Sequence, residues 1–172
     1  MKKWIALLLL VAIAMSTAAC GRKKAASLEG TMGQNVGKIM RDNPVEFAGS
    51  MTELDLQDTS EEGLWLLKGF TGLDSGDELT DAAVYEPLTG SQAFSLVLVR
   101  VKETADAKAV AQKMKDNIDP RKWICVGADQ VMAAGYGDAV MLIMVDSALG
   151  KTAQSYVDTF ANLCGGKLDF TI

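Results

Sequence analysis

The chain has 172 residues, of which 49% are hydrophobic and 23% are charged, the balance expected of a single globular domain rather than a disordered chain. Its formal net charge is −5, which argues against a nucleic acid as partner, because binding phosphates requires clustered basic residues. The sequence also contains no histidine, and therefore lacks the commonest general base and the commonest protein metal ligand.

The first segment of the chain has the composition of a secretory signal peptide. Lys2 and Lys3 precede an unbroken apolar run of 12 residues, from position 4 to position 15. A membrane-spanning helix needs roughly 20 apolar residues, and a run of this shorter length is typical of the core of a signal peptide. Small residues then lead to a cysteine.

The end of this segment, Ala18-Ala19-Cys20, resembles the lipobox of bacterial lipoproteins, in which a small residue precedes a lipid-bearing cysteine. The resemblance implies that residues 1–19 are removed and that Cys20 is acylated, for example with palmitate. The domain would then lie outside the cytoplasm, anchored to the cell membrane by lipid. Thr17 stands where leucine is usual, so cleavage by an ordinary signal peptidase stays an alternative, as does an uncleaved anchor helix.

Residues 20–33 are small or polar and are expected to form a flexible tether. Within them, Arg22, Lys23 and Lys24 are expected to contact anionic headgroups, each adding about 1 kcal/mol of attraction. A solvated charge run is the alternative interpretation. Loss of the signal peptide removes two of the 17 basic residues and no acid, which leaves 15 basic and 22 acidic residues and a net charge of −7.

Two helices are predicted at the start of the domain. Residues 34–42 form the first, which ends at an Asn-Pro pair because the residue before a proline avoids the helical region. Residues 46–57 are ambiguous. Ser60 is a good N-cap for the second helix, which is expected to run to Lys68. The side chains expected to pack from this second helix are those of Leu64, Trp65, Leu67 and Phe70.

A clearer pattern follows in the remainder of the chain. Residues 82–86 and 93–102 predict strands, and the second run is so continuously apolar that both of its faces are expected to be covered. Thr104 then caps a predicted helix whose apolar positions repeat at helical spacing as far as Ile118.

The last third predicts a hairpin and a helix. A strand at 123–126 is expected to resume at 130–134 and to turn at 135–138 into a return strand at 139–145. Ser147 is expected to cap the final helix.

The order of these elements predicts a single α+β domain over residues 34–172. Its C-terminal two thirds have the order β-β-α-β-β-α, which indicates a mixed or antiparallel sheet with helices packed on one face. A domain of about 140 residues is long enough to bury roughly two-thirds of its unfolded surface.

A family resemblance covers residues 64–170. It rests on a short helix followed by Gly72-Leu73-Asp74, the apolar strand 94–101, the helix 104–118, a tryptophan-led strand, and a hairpin closing on residues 142–145. In this arrangement the chain resembles an uncharacterised lipoprotein family of clostridia and related Firmicutes, domain of unknown function 4358. The resemblance implies export and the fold class, and it implies no activity.

Two cysteines, Cys125 and Cys164, remain once Cys20 carries the lipid. Both fall in apolar segments, which favours buried and inert thiols. A disulfide between them is the alternative, since the expected compartment lies outside the cytoplasm. A thiol nucleophile is disfavoured, because the sequence offers no histidine to activate it.

Few other residues suggest a ligand site. Asp74, Asp77 and Asp81 are calcium candidates, although they lack the spacing of an EF-hand and a solvated loop explains them equally well. Trp123 and Tyr136 are candidates for exposed aromatic surface, with core or hairpin packing as the alternative. No catalytic residue stands out, and no cofactor is expected.

The expected function is that of a non-enzymatic, membrane-anchored module that binds an envelope protein or a small ligand outside the cytoplasm. Two further hypotheses stay open, an envelope hydrolase with paired carboxylates and an accessory or inhibitor of another envelope protein. A deep cleft with two facing carboxylates would favour the hydrolase. An exposed apolar patch would favour partner binding.

Overall fold

The computed structural model of the protein describes residues 26–172. In this part of the chain the helices are α1 (Met32–Asp42), α2 (Glu61–Thr71), α3 (Ala107–Asn117) and α4 (Ala153–Leu163). The strands are β1 (Gly49–Glu53), β2 (Leu79–Pro87), β3 (Phe94–Val101), β4 (Gln130–Tyr136), β5 (Ala139–Val145) and β6 (Phe170–Thr171). None of the helices within residues 26–172 has the length and apolarity needed to cross a bilayer.

These strands form one antiparallel sheet in the order β1-β2-β3-β5-β4-β6. At its centre, β3 pairs with β5 from Phe94 opposite Val145 to Arg100 opposite Ala139. The predicted α+β class is confirmed, and of the two sheet types the antiparallel one is present. The predicted β-β-α-β-β-α order runs from β2 to α4, and the short strand β6 extends the sheet beyond β4.

Helices cover both faces of the sheet, so the prediction of helices on one face is wrong. Along β3, Leu96 and Leu98 belong to a first core shared with α1 and α4, whereas Val97 and Val99 belong to a second core shared with α3. Successive residues of a strand point to opposite faces, and a continuously apolar strand therefore requires cover on both.

The boundaries of two helices show how capping residues act. Ser60 Oγ accepts the backbone N–H of Gly63 at 3.1 Å and caps α2 as predicted. Ser147, the predicted cap of the last helix, lies instead in a single 3₁₀ turn that ends at Gly150, where φ is 71°. This left-handed residue interrupts the helical path, and Thr152 caps α4 in place of Ser147.

The side chains of α2 pack less completely than predicted. Leu67 is buried, and Leu64 and Phe70 are half-buried. Trp65 is 71% exposed, so the prediction that it packs inward is wrong. Four successive apolar residues point around the helix in all directions, and one inward face cannot bury all of them.

The predicted strand at 123–126 is part of a loop between α3 and β4, named here the 118–129 loop. The backbone N–H of Ile124 donates to the Gly90 carbonyl at 2.9 Å, which ties the loop to the turn between β2 and β3. Cys125 has a φ of 62°, a left-handed conformation that an extended strand does not contain. The strand prediction for these residues is wrong.

The domain begins earlier in the chain than predicted. The Arg100 guanidinium donates to the carbonyl of Leu28 at 2.6 Å and pairs with Asp138 at 2.6 Å. Leu28 is buried in the first core, and α1 starts at Met32, two residues before its predicted start. From Leu28 onward, the predicted tether therefore packs with the domain, while residues 20–25 lie outside the described residues.

Candidate binding cleft

A cleft of about 260 Å³ opens between α2 and the 118–129 loop. Its walls are apolar and are formed by Trp65, Leu66, Phe70 and Trp123. Its floor is charged and is formed by Glu86 and Lys122. Leu66 and Phe70 are four residues apart and so lie on one side of α2. On β2, Glu86 lies two residues after Val84, which belongs to the second core. Residues two apart on a strand share a face, so Glu86 points to the same face of the sheet.

Lys122 is held at the floor of the cleft by charge and by aromatic faces. Its Nζ lies 2.5 Å from Oε1 of Glu86 and donates to the carbonyl of Gly69 at 2.8 Å. The same Nζ is 5.2 Å from the ring centroid of Phe70 and 5.4 Å from that of Trp123, within the range of cation–π attraction. Through these contacts Lys122 joins the loop to α2 and to β2.

Most of this ion pair is removed from water, since 17% of the Lys122 side chain and 21% of the Glu86 side chain are exposed. Burial lowers the pKa of Lys122, and attraction to Glu86 and to Asp119 opposes the shift. Because the unfolded chain then holds this proton more tightly, the contribution of Lys122 to stability rises with pH between its lowered pKa and the ordinary value of 10.5.

Apolar side chains in and beside the segments that flank the cleft are open to solvent. Trp65 is 71% exposed and Leu66 40% exposed on α2, while Ile124 in the loop and Leu88 just beyond β2 are 75% and 65% exposed. Within residues 26–172, three of the five large hydrophobic side chains with such exposure thus lie on α2 and the 118–129 loop, the two segments between which the cleft opens. A concentrated apolar patch of this kind is typical of an interaction site.

Comparisons with models of protein families, with curated proteins and with solved structures find no match to this chain. The resemblance to domain of unknown function 4358 therefore stays a prediction. The residues of the cleft are the basis for assigning a function.

The cleft supplies one carboxylate rather than two. Among its lining residues in the described part of the chain, Glu86 is the single acid, and Lys122 neutralises it. A hydrolase of the paired-carboxylate type places a second acid about 5–10 Å from the first, across the bond to be cleaved. The residues that line this cleft do not include the second carboxylate of that arrangement.

Most of the cleft was not predictable from the sequence. Trp123 is the one lining residue that the sequence offers as aromatic surface, and it is half-buried in the cleft wall. Tyr136, the other aromatic candidate, lines a separate open depression of about 410 Å³. Glu86 and Lys122 are far apart in sequence and carry no motif. The apolar run at 64–67 is wider than one face of a helix, and this width could have indicated that part of α2 is exposed.

The three calcium candidates face different partners. Asp74 pairs with Lys68 at 2.7 Å, Asp77 accepts the Ser75 hydroxyl at 3.0 Å, and Asp81 accepts the backbone N–H of Met32 at 2.8 Å. Within residues 26–172, no three carboxylate or thiol side chains are grouped to hold a metal ion. The structure does not bring these acids together.

The two remaining cysteines occupy opposite ends of the molecule and are both free. Cys164 is buried in the first core, in agreement with the predicted inert thiol. Cys125 is exposed in the 118–129 loop, so the prediction that it is buried is wrong. Cys164 lies beside Tyr136 at the β4–β5 hairpin, whereas Cys125 adjoins the other end of the sheet, and the alternative of a disulfide between them is also wrong.

The buried thiol of Cys164 predicts a specific loss of stability in alkali. Burial raises its pKa from 9.0 to about 12, with a smaller contribution from Asp169. The thiol therefore stabilises the fold below pH 9 and loses this contribution as the pH rises toward 12. Between pH 9 and pH 10 the free energy of unfolding should fall by about 1 kcal/mol more in the wild type than in Cys164→Ala. Urea denaturation measures this difference, and parallel pH profiles for the two proteins would contradict it.

The predicted lipid attachment residue lies outside the described residues, as do the predicted headgroup contacts. The first is Cys20, and the others are Arg22, Lys23 and Lys24. The described chain enters the domain at the end opposite the cleft. Ala26 lies against the β4–β5 hairpin at Gly137, and Ser27 donates to Asp138 at 2.7 Å. The eight-residue strand β3 separates this end from the cleft end by about 23 Å.

Proposed function

We propose that this chain is an extracytoplasmic bacterial lipoprotein anchored to the cell membrane through Cys20. The support comes from the sequence, in which a basic start, a 12-residue apolar run and Ala18-Ala19 precede the cysteine. Two or three acyl chains on one residue hold a protein stably on a bilayer, whereas a single chain binds only marginally. The basic residues that follow add attraction to anionic lipid.

The domain on this anchor acts as a binding module of the cell envelope, and the cleft beside Trp65 is its binding surface. The observation that carries this assignment is the 71% exposure of a tryptophan at the mouth of an apolar cleft. Exposing a large aromatic surface to water is unfavourable, and buried aromatic anchors dominate the energy of protein interfaces. Burial of Trp65 by a partner removes that surface from water.

Site-specific crosslinking in cells tests this assignment. A photo-crosslinking amino acid in place of Trp65 should give one reproducible covalent adduct in the membrane fraction after irradiation. The same amino acid in place of Met51 is the matched control, because Met51 is 46% exposed and pairs with Tyr85 of the first core, which puts it on the face of the sheet opposite the cleft. Equal adducts from both positions, or none from position 65, would contradict a binding role for the cleft.

A further inference from the structure

Resting on the proposed binding role of the cleft, we propose that its occupant is a segment of another envelope protein with one large apolar side chain flanked by lysine or arginine. The apolar side chain enters the cleft between α2 and the 118–129 loop. The flanking cations meet acids that border it.

The size and lining of the cleft fit a single side chain. At about 260 Å³ it falls below the range of about 300–1,000 Å³ that is usual for small-molecule pockets. Its walls are apolar apart from the Glu86–Lys122 pair, and Lys122 is already engaged with Glu86 and with Gly69. A sugar would require several free polar groups for its hydroxyls, whereas an apolar anchor requires the surface that Trp65 and Leu66 expose.

The charges beside the cleft give the sign of the flanking residues. Glu61 and Glu62 are exposed, and each stands one helical turn before Trp65 and Leu66, so these carboxylates neighbour the apolar patch. Asp119 is close enough to Lys122 to influence it. Among residues 26–172, none of these three acids forms an ion pair. Arg121 is the opposing exposed cation in the loop, which leaves a net negative border that attracts basic segments.

The same charges disfavour two other occupants. A second copy of this chain would bring acidic border against acidic border, and like charges across an interface are unfavourable. An anionic membrane would repel the same carboxylates. The position of Ala26 also disfavours the membrane, because the cleft lies at the far end of the sheet from the point where a lipid tether enters.

Selection from a random dodecapeptide phage library tests the proposal. The full-length chain in phosphatidylcholine nanodiscs serves as target, and Trp65→Ala and Met51→Ala serve as the cleft and control variants. Enriched peptides should contain a large apolar residue with lysine or arginine within three positions. They should bind Met51→Ala as they bind the wild type, and they should bind Trp65→Ala at least tenfold more weakly.

Charge reversal separates the basic flank from the apolar anchor. In Glu61→Lys/Glu62→Lys, the affinity for a selected peptide should fall about tenfold. It should not change in Glu29→Lys/Glu46→Lys, which alters two exposed acids near α1 by the same amount. Selected peptides that require Trp65 but lack basic residues would overturn the proposed ligand class and leave the binding role of the cleft standing. If no enriched peptide depends on Trp65, the proposal is overturned. If position 65 also gives no crosslinked adduct, the binding role of the cleft is overturned as well.

A membrane occupant would give a different signal. In vesicles that contain brominated phosphatidylglycerol, the fluorescence of Trp65, taken as the difference between the wild type and Trp65→Phe, should not be quenched. Quenching of this component would place the cleft in the bilayer and overturn the proposal.

Discussion

Cys20→Ala is expected to release the protein from washed membranes, in which the wild-type protein should be retained. The reason is the loss of the acyl chains, since each buried methylene contributes about 0.8 kcal/mol to membrane binding. The three residues Arg22, Lys23 and Lys24 would add only about 3 kcal/mol of attraction, and salt would screen it. Alkaline washing of membranes followed by immunoblotting of both fractions measures the distribution.

A cysteine far from the tether supplies the control for this prediction. Cys125→Ala removes an exposed thiol of the domain and should leave the protein in the membrane fraction. Retention of Cys20→Ala in washed membranes would contradict lipid anchoring. It would favour the alternative in which residues 4–15 belong to an uncleaved anchor helix. Mass spectrometry of the N-terminal peptide gives an independent result, because acylated Cys20 should be its first residue.

Lys122→Ala is expected to lower the free energy of unfolding by about 2–3 kcal/mol. The substitution leaves Glu86 mostly buried without its cation, and no described residue other than Lys122 offers a donor to its Oε1. Breaking a fully buried ion pair by removing one partner costs about 3–5 kcal/mol, and the 17% and 21% exposure of these side chains reduces that figure. Urea denaturation measures the change.

The double substitution Glu86→Leu/Lys122→Met separates the unpaired charge from the general loss of packing. It removes both charges and keeps similar side-chain volume, so stability should return to within about 1 kcal/mol of the wild type. The pH dependence of the free energy of unfolding gives a second test. In the wild type the contribution of Lys122 rises with pH below 10.5, and this rise should be absent from the double variant. A change of less than 0.5 kcal/mol in Lys122→Ala would show that water screens the pair and that it does not hold the cleft together.

The central sheet is predictable because its signals are local and agree with one another. The apolar run of β3 and the Gly137-Asp138 turn between β4 and β5 each need only neighbouring residues to be recognised. The proline after α1 marks the end of that helix in the same way. These signals are sufficient for the fold class.

The cleft depends on contacts that local patterns do not encode. The pairing of Glu86 with Lys122 joins residues on β2 and in a loop, and the direction of Trp65 depends on where α2 lies against the sheet. The sequence around Cys125 has the apolar composition of a strand, yet its left-handed φ and the bond from Ile124 to Gly90 make it a loop. Tertiary contacts override local propensity at these positions.

The exposure of Trp65 gives the most direct test of the binding role. Trp65→Ala should change the free energy of unfolding by no more than about 0.5 kcal/mol, since a side chain that is 71% exposed contributes little to the core. The partner crosslinked by the wild type in membranes should be recovered at least tenfold less with this variant, at equal protein level. Undiminished recovery of the same partner with Trp65→Ala would contradict the assignment of this cleft as the binding surface.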